Sequence, residues 1–240
     1  IISGFPPPVI IGEYYSLCWN GTRWIAINSI NGSNLIYSNN GINWISKPNI
    51  TPGQGLGFEI AYNRKRQNTL TFPKNRLVAF GSKRRLVYSD DGINWSSTTP
   101  SPFEIGYGLD WNGEIWVGVG SFDPFTSIAY SYNGSDWTNA TNIFEQGRGV
   151  KWNGTMWVAV GADDNRITVA YSYDGICWKP AYQPPFRDAG YSLDWNGTIW
   201  VAGGDANTNP SLSYSFDGDT WNPVTSLPVS SFNCFTVVWN

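Results

Sequence analysis

Short stretches in which apolar and polar residues alternate fill this chain of 240 residues, and Asn-Gly or Asp-Gly dipeptides separate many of them. A period of two is that of β-strands, and these dipeptides accept the positive φ angles of tight hairpin turns. In one part of the chain the pattern predicts four successive strands, at 149–152, 156–160, 168–172 and from about 178. We therefore expect short antiparallel strands and almost no helix.

Two short motifs alternate along the chain. The first is Trp-Asn-Gly, with complete copies that begin at Trp19, Trp111, Trp152 and Trp195. Tyr62-Asn63 replaces it in one repeat, and a final copy, Trp239-Asn240, lacks the glycine. The second is Tyr-Ser-x-(Asp/Asn)-Gly-x-x-Trp, whose five copies end at Trp44, Trp95, Trp137, Trp178 and Trp221. The copies of the second motif follow one another at intervals of 41 to 51 residues.

Repeats of about 40 to 50 residues made of four short strands are typical of propeller blades. We predict an all-β fold, a β-propeller of four-stranded blades with five complete repeats plus the inner and outer strands of a sixth. The predicted units are 13–47, 57–98, 106–140, 147–181 and 190–224, with the partial blade from 1–8 and 233–240, all in a single domain over 1–240. Two arrangements fit, a six-bladed ring or a piece of a longer repeat array.

The second motif resembles the Asp-box of sialidases and many other propellers, in which Ser, Asp and Gly fold the hairpin between the third and fourth strands and Trp packs beneath. The motif is one residue shorter than the usual box, and Asn40 and Asn133 replace Asp in two copies. The resemblance implies a fold and not a reaction, because in that family the box lies away from the active site. The Asn-rich, Trp-Asn-Gly style is also similar to repeat proteins of large DNA viruses of amoebae, which would imply a virion-associated or extracellular protein.

Composition favours binding or assembly over catalysis. Histidine, the commonest acid/base group and metal ligand, is absent, and only 14% of the residues are charged. The net charge of −3 argues against general affinity for nucleic acid. No apolar run approaches the roughly 20 residues that cross a bilayer. The three cysteines form no Cys-x-x-Cys pair, which leaves one disulfide possible. We expect no cofactor, no metal and no membrane insertion.

The first strand of each blade should line a central channel, and its loop-facing end is the candidate ligand-binding position. Five aromatic residues and one arginine occupy this position in turn: Tyr15, Phe58, Tyr107, Arg148, Tyr191 and Phe235. Such a ring stacks well on sugar faces or apolar ligands, and Arg148 could pair with a carboxylate or sulfate. The alternative is that these side chains simply fill the channel.

Positive charge is concentrated in the second repeat, which holds eight of the 15 basic residues. The candidate docking patch consists of Arg64, Lys65, Arg66, Lys83, Arg84 and Arg85. The first three residues belong to a predicted hairpin on one face and the last three to a turn on the other. An acidic protein, a phosphate or a sulfated glycan would suit this blade, although a merely solvated loop fits equally well.

We therefore predict a non-catalytic propeller that acts as a binding or structural module, with a protein or a glycan as its partner. The alternative is a sialidase-like glycoside hydrolase, for which the resemblance implies three arginines, a Tyr/Glu pair and an acid Asp. The residues available for these roles are Arg148, Arg166, Arg187, Tyr191, Glu59 and Asp123, without the spacing of that family.

Overall fold

The computed structural model describes residues 14–28, 35–47, 57–63, 76–84, 86–98, 101–122, 126–205, 211–225 and 233–239. These residues form five four-stranded antiparallel sheets and contain no helix. The sheets are called blades 1 to 5 in chain order. The predicted all-β propeller of four-stranded blades is confirmed.

The strands of each blade hydrogen-bond in chain order, so that every blade is a meander. Blade 1 contains β1 (Tyr14–Trp19), β2 (Trp24–Asn28), β3 (Leu35–Ser38) and β4 (Ile45–Lys47). Blade 2 contains β5 (Gly57–Tyr62), β6 (Leu77–Gly81), β7 (Leu86–Ser89) and β8 (Ser96–Thr98). Blade 3 contains β9 (Ile105–Trp111), β10 (Trp116–Ser121), β11 (Ile128–Ser131) and β12 (Thr138–Asn139).

Blades 4 and 5 follow the same plan. Blade 4 contains β13 (Gln146–Trp152), β14 (Trp157–Ala162), β15 (Val169–Ser172) and β16 (Lys179–Pro180). Blade 5 contains β17 (Gly190–Trp195), β18 (Trp200–Gly204), β19 (Leu212–Ser215) and β20 (Asn222–Pro223). The first strands of successive blades contact one another, which places β1, β5, β9, β13 and β17 at the centre.

One set of hydrogen bonds builds all five turns between the third and fourth strands. A buried serine ends the third strand, and its Oγ accepts the turn glycine N–H at 2.8 to 2.9 Å and donates to the Asp or Asn side chain. That Oδ1 in turn accepts two backbone N–H groups further along the turn. The turn glycines have φ between 74° and 77°, a region that other residues rarely adopt. The second motif is therefore a turn-building device in every blade.

The tryptophan that ends the second motif packs between neighbouring blades in blades 4 and 5. Trp178 shares a core cluster with Val117 of blade 3 and Trp157 of blade 4. Trp221 shares another with Val158 of blade 4 and Trp200 of blade 5. Burial of these large rings between sheets, rather than within one sheet, holds successive blades together.

Residues 233–239 lie against blade 5 where the first strand of a sixth blade would be. The N–H of Cys234 donates to the Gly204 carbonyl at 3.0 Å, and that of Val237 to Ser192 Oγ at 3.1 Å. The expected strand is absent from this described segment, because the described residues contain no second strand of the same blade with which it could form a backbone ladder. The predicted outer strand of the sixth blade, at 1–8, lies outside the described residues.

Candidate functional site

Two cavities along the first strands form a central channel. One, of about 410 Å³, opens on the face that carries the connections between second and third strands. We call its rim residues the loop-face mouth: Tyr107, Arg148, Tyr191 and Phe235. The structure thus brings together four of the six predicted ligand-binding residues. Tyr15 and Phe58 belong to β1 and β5, but their side chains lie outside the described part of the protein.

A backbone irregularity explains why this position faces the channel. In each first strand the ladder to the second strand skips one residue, for example Arg148 between Gly147 and Gly149. The skipped residues are Tyr15, Phe58, Tyr107, Arg148 and Tyr191. A β-bulge of this kind bends the strand and redirects the side chain of the extra residue. The bulge therefore builds the ring, and it repeats in all five blades.

Arg148 has a defined position in the loop-face mouth. Its Nη2 donates to Gln146 Oε1 at 3.1 Å, and its guanidinium lies 5.0 Å from the centre of the Tyr191 ring. Tyr191 in turn contacts Phe235, with ring centres 4.9 Å apart. The Nε–H of Arg148 is buried and has no acceptor among the described residues. The mouth therefore holds a guanidinium of defined orientation.

Four ionisable side chains meet deeper in the channel. We call them the channel charge cluster: Glu59 of β5, Asp110 of β9, Lys151 of β13 and Asp194 of β17. All four are partly buried, and three carboxyl groups surround a single ammonium.

The pKa values in the channel charge cluster reflect this crowding. Burial raises the pKa of Glu59 to about 7, against the attraction of Lys151. Burial also raises the pKa of Asp110, although Lys151 and backbone N–H groups oppose the shift. Burial alone would lower the pKa of Lys151, but Asp110, Glu59 and Asp194 raise it. Lys151 therefore stays charged, and Glu59 takes up a proton near neutral pH.

Two members of the channel charge cluster also join neighbouring blades. Asp110 accepts the N–H of Trp111 on its own strand at 2.9 Å and that of Trp152 on the next blade at 2.8 Å. Asp194 repeats the arrangement with Trp195 at 2.9 Å and Trp239 at 2.7 Å. Both oxygens of each carboxylate are used, so these residues have a structural task.

The second cavity, of about 780 Å³, opens on the opposite face. Aromatic rings dominate its wall: Trp19, Trp24, Tyr62, Trp111 and Trp152. Glu59 and Lys151 line both cavities, so the channel charge cluster lies between the two openings.

The basic patch is only partly described. Lys83 and Arg84 form an exposed turn between β6 and β7, both with positive φ, and the Arg84 guanidinium lies 4.2 Å from the centre of the Phe122 ring. This turn is on the same face as the loop-face mouth. Arg64, Lys65, Arg66 and Arg85 lie outside the described residues.

The residues considered for a hydrolase do not assemble into one group. Arg148, Tyr191 and Glu59 line the channel, whereas Arg166 is exposed in a loop and Arg187 is half-exposed beside Asp188 at 3.6 Å. Asp123 lies outside the described residues. A three-arginine cluster is therefore missing from the part of the channel that the structure describes.

Two simpler observations complete the site. All three cysteines lie among the described residues, and no disulfide joins them, so the bridge that the sequence left open does not form. Within the described ranges, the structure contains no helix with the length and hydropathy of a membrane span.

Sequence reasoning missed the channel charge cluster. Its members are separated by about one repeat each, and none belongs to the predicted ring; Glu59 alone was considered, for a hydrolase. The signal was present: the residue directly before each Trp-Asn is charged in three repeats, at Asp110, Lys151 and Asp194.

Comparison with known proteins supports the fold alone. No family model matches the chain, and no curated protein does. It is similar to the GH74 enzyme of Niastella koreensis (TM-score 0.63, 15% identity, 92% of this chain and 31% of that one). It is also similar to a chain of a nidogen/laminin complex, with a TM-score of 0.61 and 12% identity over 88% of this chain and 78% of that one. A third similar structure is the computationally designed Ika8 protein, with a TM-score of 0.57 and 13% identity over 84% of this chain and 57% of that one.

The chain spans about a third of the GH74 enzyme chain. The first two of these structures are propellers, one an enzyme and one part of a protein complex. With five four-stranded meanders around a channel, the chain is a β-propeller. At these identities the likeness extends to the fold and not to a reaction or a partner.

Proposed function

We propose that this protein is a non-catalytic binding propeller, and that its loop-face mouth binds an acidic group of a glycan or protein partner. The observation that carries the proposal is the guanidinium of Arg148, which lines the cavity and is held in place by Gln146 and Tyr191. A carboxylate or sulfate at the mouth would accept a charge-assisted hydrogen bond from this guanidinium. An extracellular or virion-surface location would suit such a module.

Aromatic rings support a sugar as the group next to that acid. Tyr107, Tyr191 and Phe235 line the entrance of the cavity of about 410 Å³ together with the guanidinium. Their flat faces suit the apolar face of a pyranose ring. The carboxylates of the channel charge cluster would repel an anion that went deeper, so the acidic group stays at the mouth.

A glycan array that includes sialylated, sulfated and neutral members tests the proposal, with a parallel assay for released sugar. We expect saturable binding to acidic glycans without release. Arg148→Gln should weaken binding by about tenfold or more, because a hydrogen bond to a charged group contributes about 1.5 to 3 kcal/mol. Arg187→Gln, an exposed arginine outside the mouth, is the matched control. Equal binding to neutral glycans, or full binding by Arg148→Gln, would contradict the proposal.

The basic turn at Lys83 and Arg84 is a second element of the proposal, as a docking point for an acidic protein. Its position on the same face as the loop-face mouth supports a shared partner. Neutralising Lys83, Arg84 and Arg85 together should weaken such a complex, most strongly at low salt. Partner binding that persists in the triple variant at every salt concentration would remove this element.

One observation favours glycoside hydrolysis as a second candidate function. Glu59 is a carboxyl group with a pKa of about 7 near other carboxylates, as an acid catalyst requires. Against it, Asp110 and Asp194 use both oxygens on backbone N–H groups, so neither can act as a nucleophile or base without breaking a contact between blades. Sugar release that disappears in Glu59→Gln would favour the hydrolase.

A further inference from the structure

One turn position differs between the blades while the hydrogen bonds that build the turn stay the same. It is the residue between Ser and Asp or Asn in the second motif, which is Asn39, Asp90, Tyr132, Tyr173 and Phe216 in blades 1 to 5. We call the last three residues the aromatic rim. They are 52%, 70% and 67% exposed. Three large rings at equivalent positions of adjacent blades are thus turned to solvent.

Each ring of the aromatic rim is supported from the side. The tyrosine two residues earlier meets it nearly edge to face, with ring centres 5.9 Å apart for Tyr130 and Tyr132 and 6.1 Å for Tyr171 and Tyr173. Tyr214 and Phe216 repeat the pair at 5.8 Å. Such pairs restrict the outer ring without covering its face.

In blades 1 and 2 an arginine lies over the ring of the tyrosine that begins the second motif. Arg23 lies 5.4 Å from the centre of the Tyr37 ring, and Arg76 lies 4.5 Å from that of Tyr88. Arg76 also forms an ion pair with Asp90 at 2.8 Å. Blades 3 to 5 have apolar residues in place of these arginines, namely Ile115, Met156 and Ile199. Two positions therefore differ together, and the result is a polar edge on two blades and an aromatic edge on three.

The aromatic rim is not a single apolar patch. Polar turn residues separate its rings, including Asp174 and Asp217. Burial would raise the pKa of each of these two carboxyl groups, but hydrogen bonds from backbone N–H groups outweigh it and lower the pKa, so both are ionised at neutral pH. A protein interface of ordinary size needs a continuous apolar centre, which these separated rings do not offer.

We infer that the aromatic rim binds a neutral linear polysaccharide, with one sugar ring stacked on each exposed aromatic side chain. A repeating partner suits three rings at equivalent positions of adjacent blades. The negative turns would repel a sulfated or uronic acid chain, so the polymer is neutral. Each stacked sugar contributes little, and simultaneous engagement of the three rings supplies the affinity.

Exposed Tyr182 extends this surface. Its N–H donates to Asp219 Oδ1 in the turn of blade 5 at 2.7 Å, which places it next to the Phe216 turn. The aromatic rim lies on the face opposite the loop-face mouth, because its three residues belong to turns between third and fourth strands. The inference is therefore independent of the proposed function.

Affinity electrophoresis in gels that contain hydroxyethylcellulose, mixed-linkage β-glucan or galactomannan tests the inference. We expect retardation of the purified chain by at least one of these polymers. Asn is the natural residue of blade 1 at this position, so Tyr132→Asn, Tyr173→Asn and Phe216→Asn should preserve the turn. Each single variant should bind roughly threefold to tenfold more weakly, and the triple variant about a hundredfold or more, from the usual strength of aromatic contacts.

Two further variants make the test specific. Arg148→Gln changes only the loop-face mouth and should leave polysaccharide binding unchanged, which separates this site from the proposed function. Arg23→Ile with Asn39→Tyr should give blade 1 the aromatic edge and increase retardation. A matched thermal unfolding curve shows that each variant is folded.

Three results would overturn the inference. One is no retardation by any of the three polymers, and another is full retardation of a folded triple variant. The third is concentration-dependent self-association in sedimentation velocity that the triple variant abolishes without a polysaccharide effect, since the rim would then bind a second copy of the chain.

Discussion

Blades 1 and 2 use the same turn as blades 3 to 5 but present a different surface. The buried serine, the capping Asp or Asn and the glycine of positive φ are the same in all five. Around that frame, two blades place an arginine over the motif tyrosine and three place an exposed aromatic residue beside it. The frame therefore fixes the fold, and the two variable positions set the chemistry of the edge.

The blades also differ in how deeply the motif tryptophan is buried. Trp178 and Trp221, in blades 4 and 5, are buried, whereas Trp44, Trp95 and Trp137 are only partly so. Each buried indole contacts strands of two blades, so the later blades form the more tightly joined part of the described structure.

The largest expected effect comes from removing that indole in each region. Trp178→Ala should lower the free energy of unfolding by about 4 kcal/mol, since it leaves a cavity between blades 3 and 4. Trp44→Ala should cost only about 1 to 2 kcal/mol, because the ring is partly exposed. Urea unfolding measures both values. Equal losses of unfolding free energy in the two variants would show that the motif tryptophan stabilises both regions to the same extent.

The channel joins the two regions electrostatically, because Glu59 of blade 2 faces Lys151 of blade 4. The pKa of Glu59 is higher in the folded than in the unfolded chain, so the folded state binds more protons and stability falls as pH rises from about 4.5 to about 7. Glu59→Gln removes this loss. At pH 8 the variant should be more stable than the parent by on the order of 2 kcal/mol.

Unfolding curves at pH 5 and pH 8 measure this effect. The difference between Glu59→Gln and the parent should be larger at pH 8. Glu114→Gln, at an exposed residue of a blade 3 turn, should change little at either pH. A variant that is less stable than the parent at pH 8 would mean that ionised Glu59 is needed as a partner of Lys151.

The smallest expected effect concerns the arginine edge of blade 2. Arg76 donates twice to Asp90, at 2.8 and 3.0 Å, and once to the Asn133 carbonyl of blade 3 at 2.7 Å. Arg76→Ile should cost about 1 kcal/mol. Adding Asp90→Tyr reproduces the aromatic edge of blade 4 and should recover a few tenths of a kcal/mol. A double-mutant cycle in urea measures the coupling, and additive losses would show that the two positions are independent.

The repeat frame could be predicted from sequence because its causes are local. Ser, Asp or Asn, and Gly bond to one another within a few residues, so the second motif alone predicts the turn and the four-stranded unit. The same is true of Trp178, whose place at the end of the turn directs it to the neighbouring blade.

The candidate site depended on contacts that the motif does not contain. The ring was predicted from position, but the bulge that turns Arg148 into the channel follows from how β13 pairs with β14. Glu59, Asp110 and Lys151 are separated by about one repeat each and meet only when the first strands surround the channel. The alternation of apolar and polar residues along a single strand does not show which residues of different first strands meet in the channel.

The contact that Asp110 and Asp194 each make with the following unit is asymmetric. In both cases the carboxylate belongs to the earlier unit, and what it holds in the later unit is a main-chain N–H, which almost every amino acid provides. The later unit can therefore diverge in side chains at this point without a compensating change in its neighbour. Duplication of a unit that carries this carboxylate keeps the joint intact, because the next unit needs to supply only a main-chain N–H.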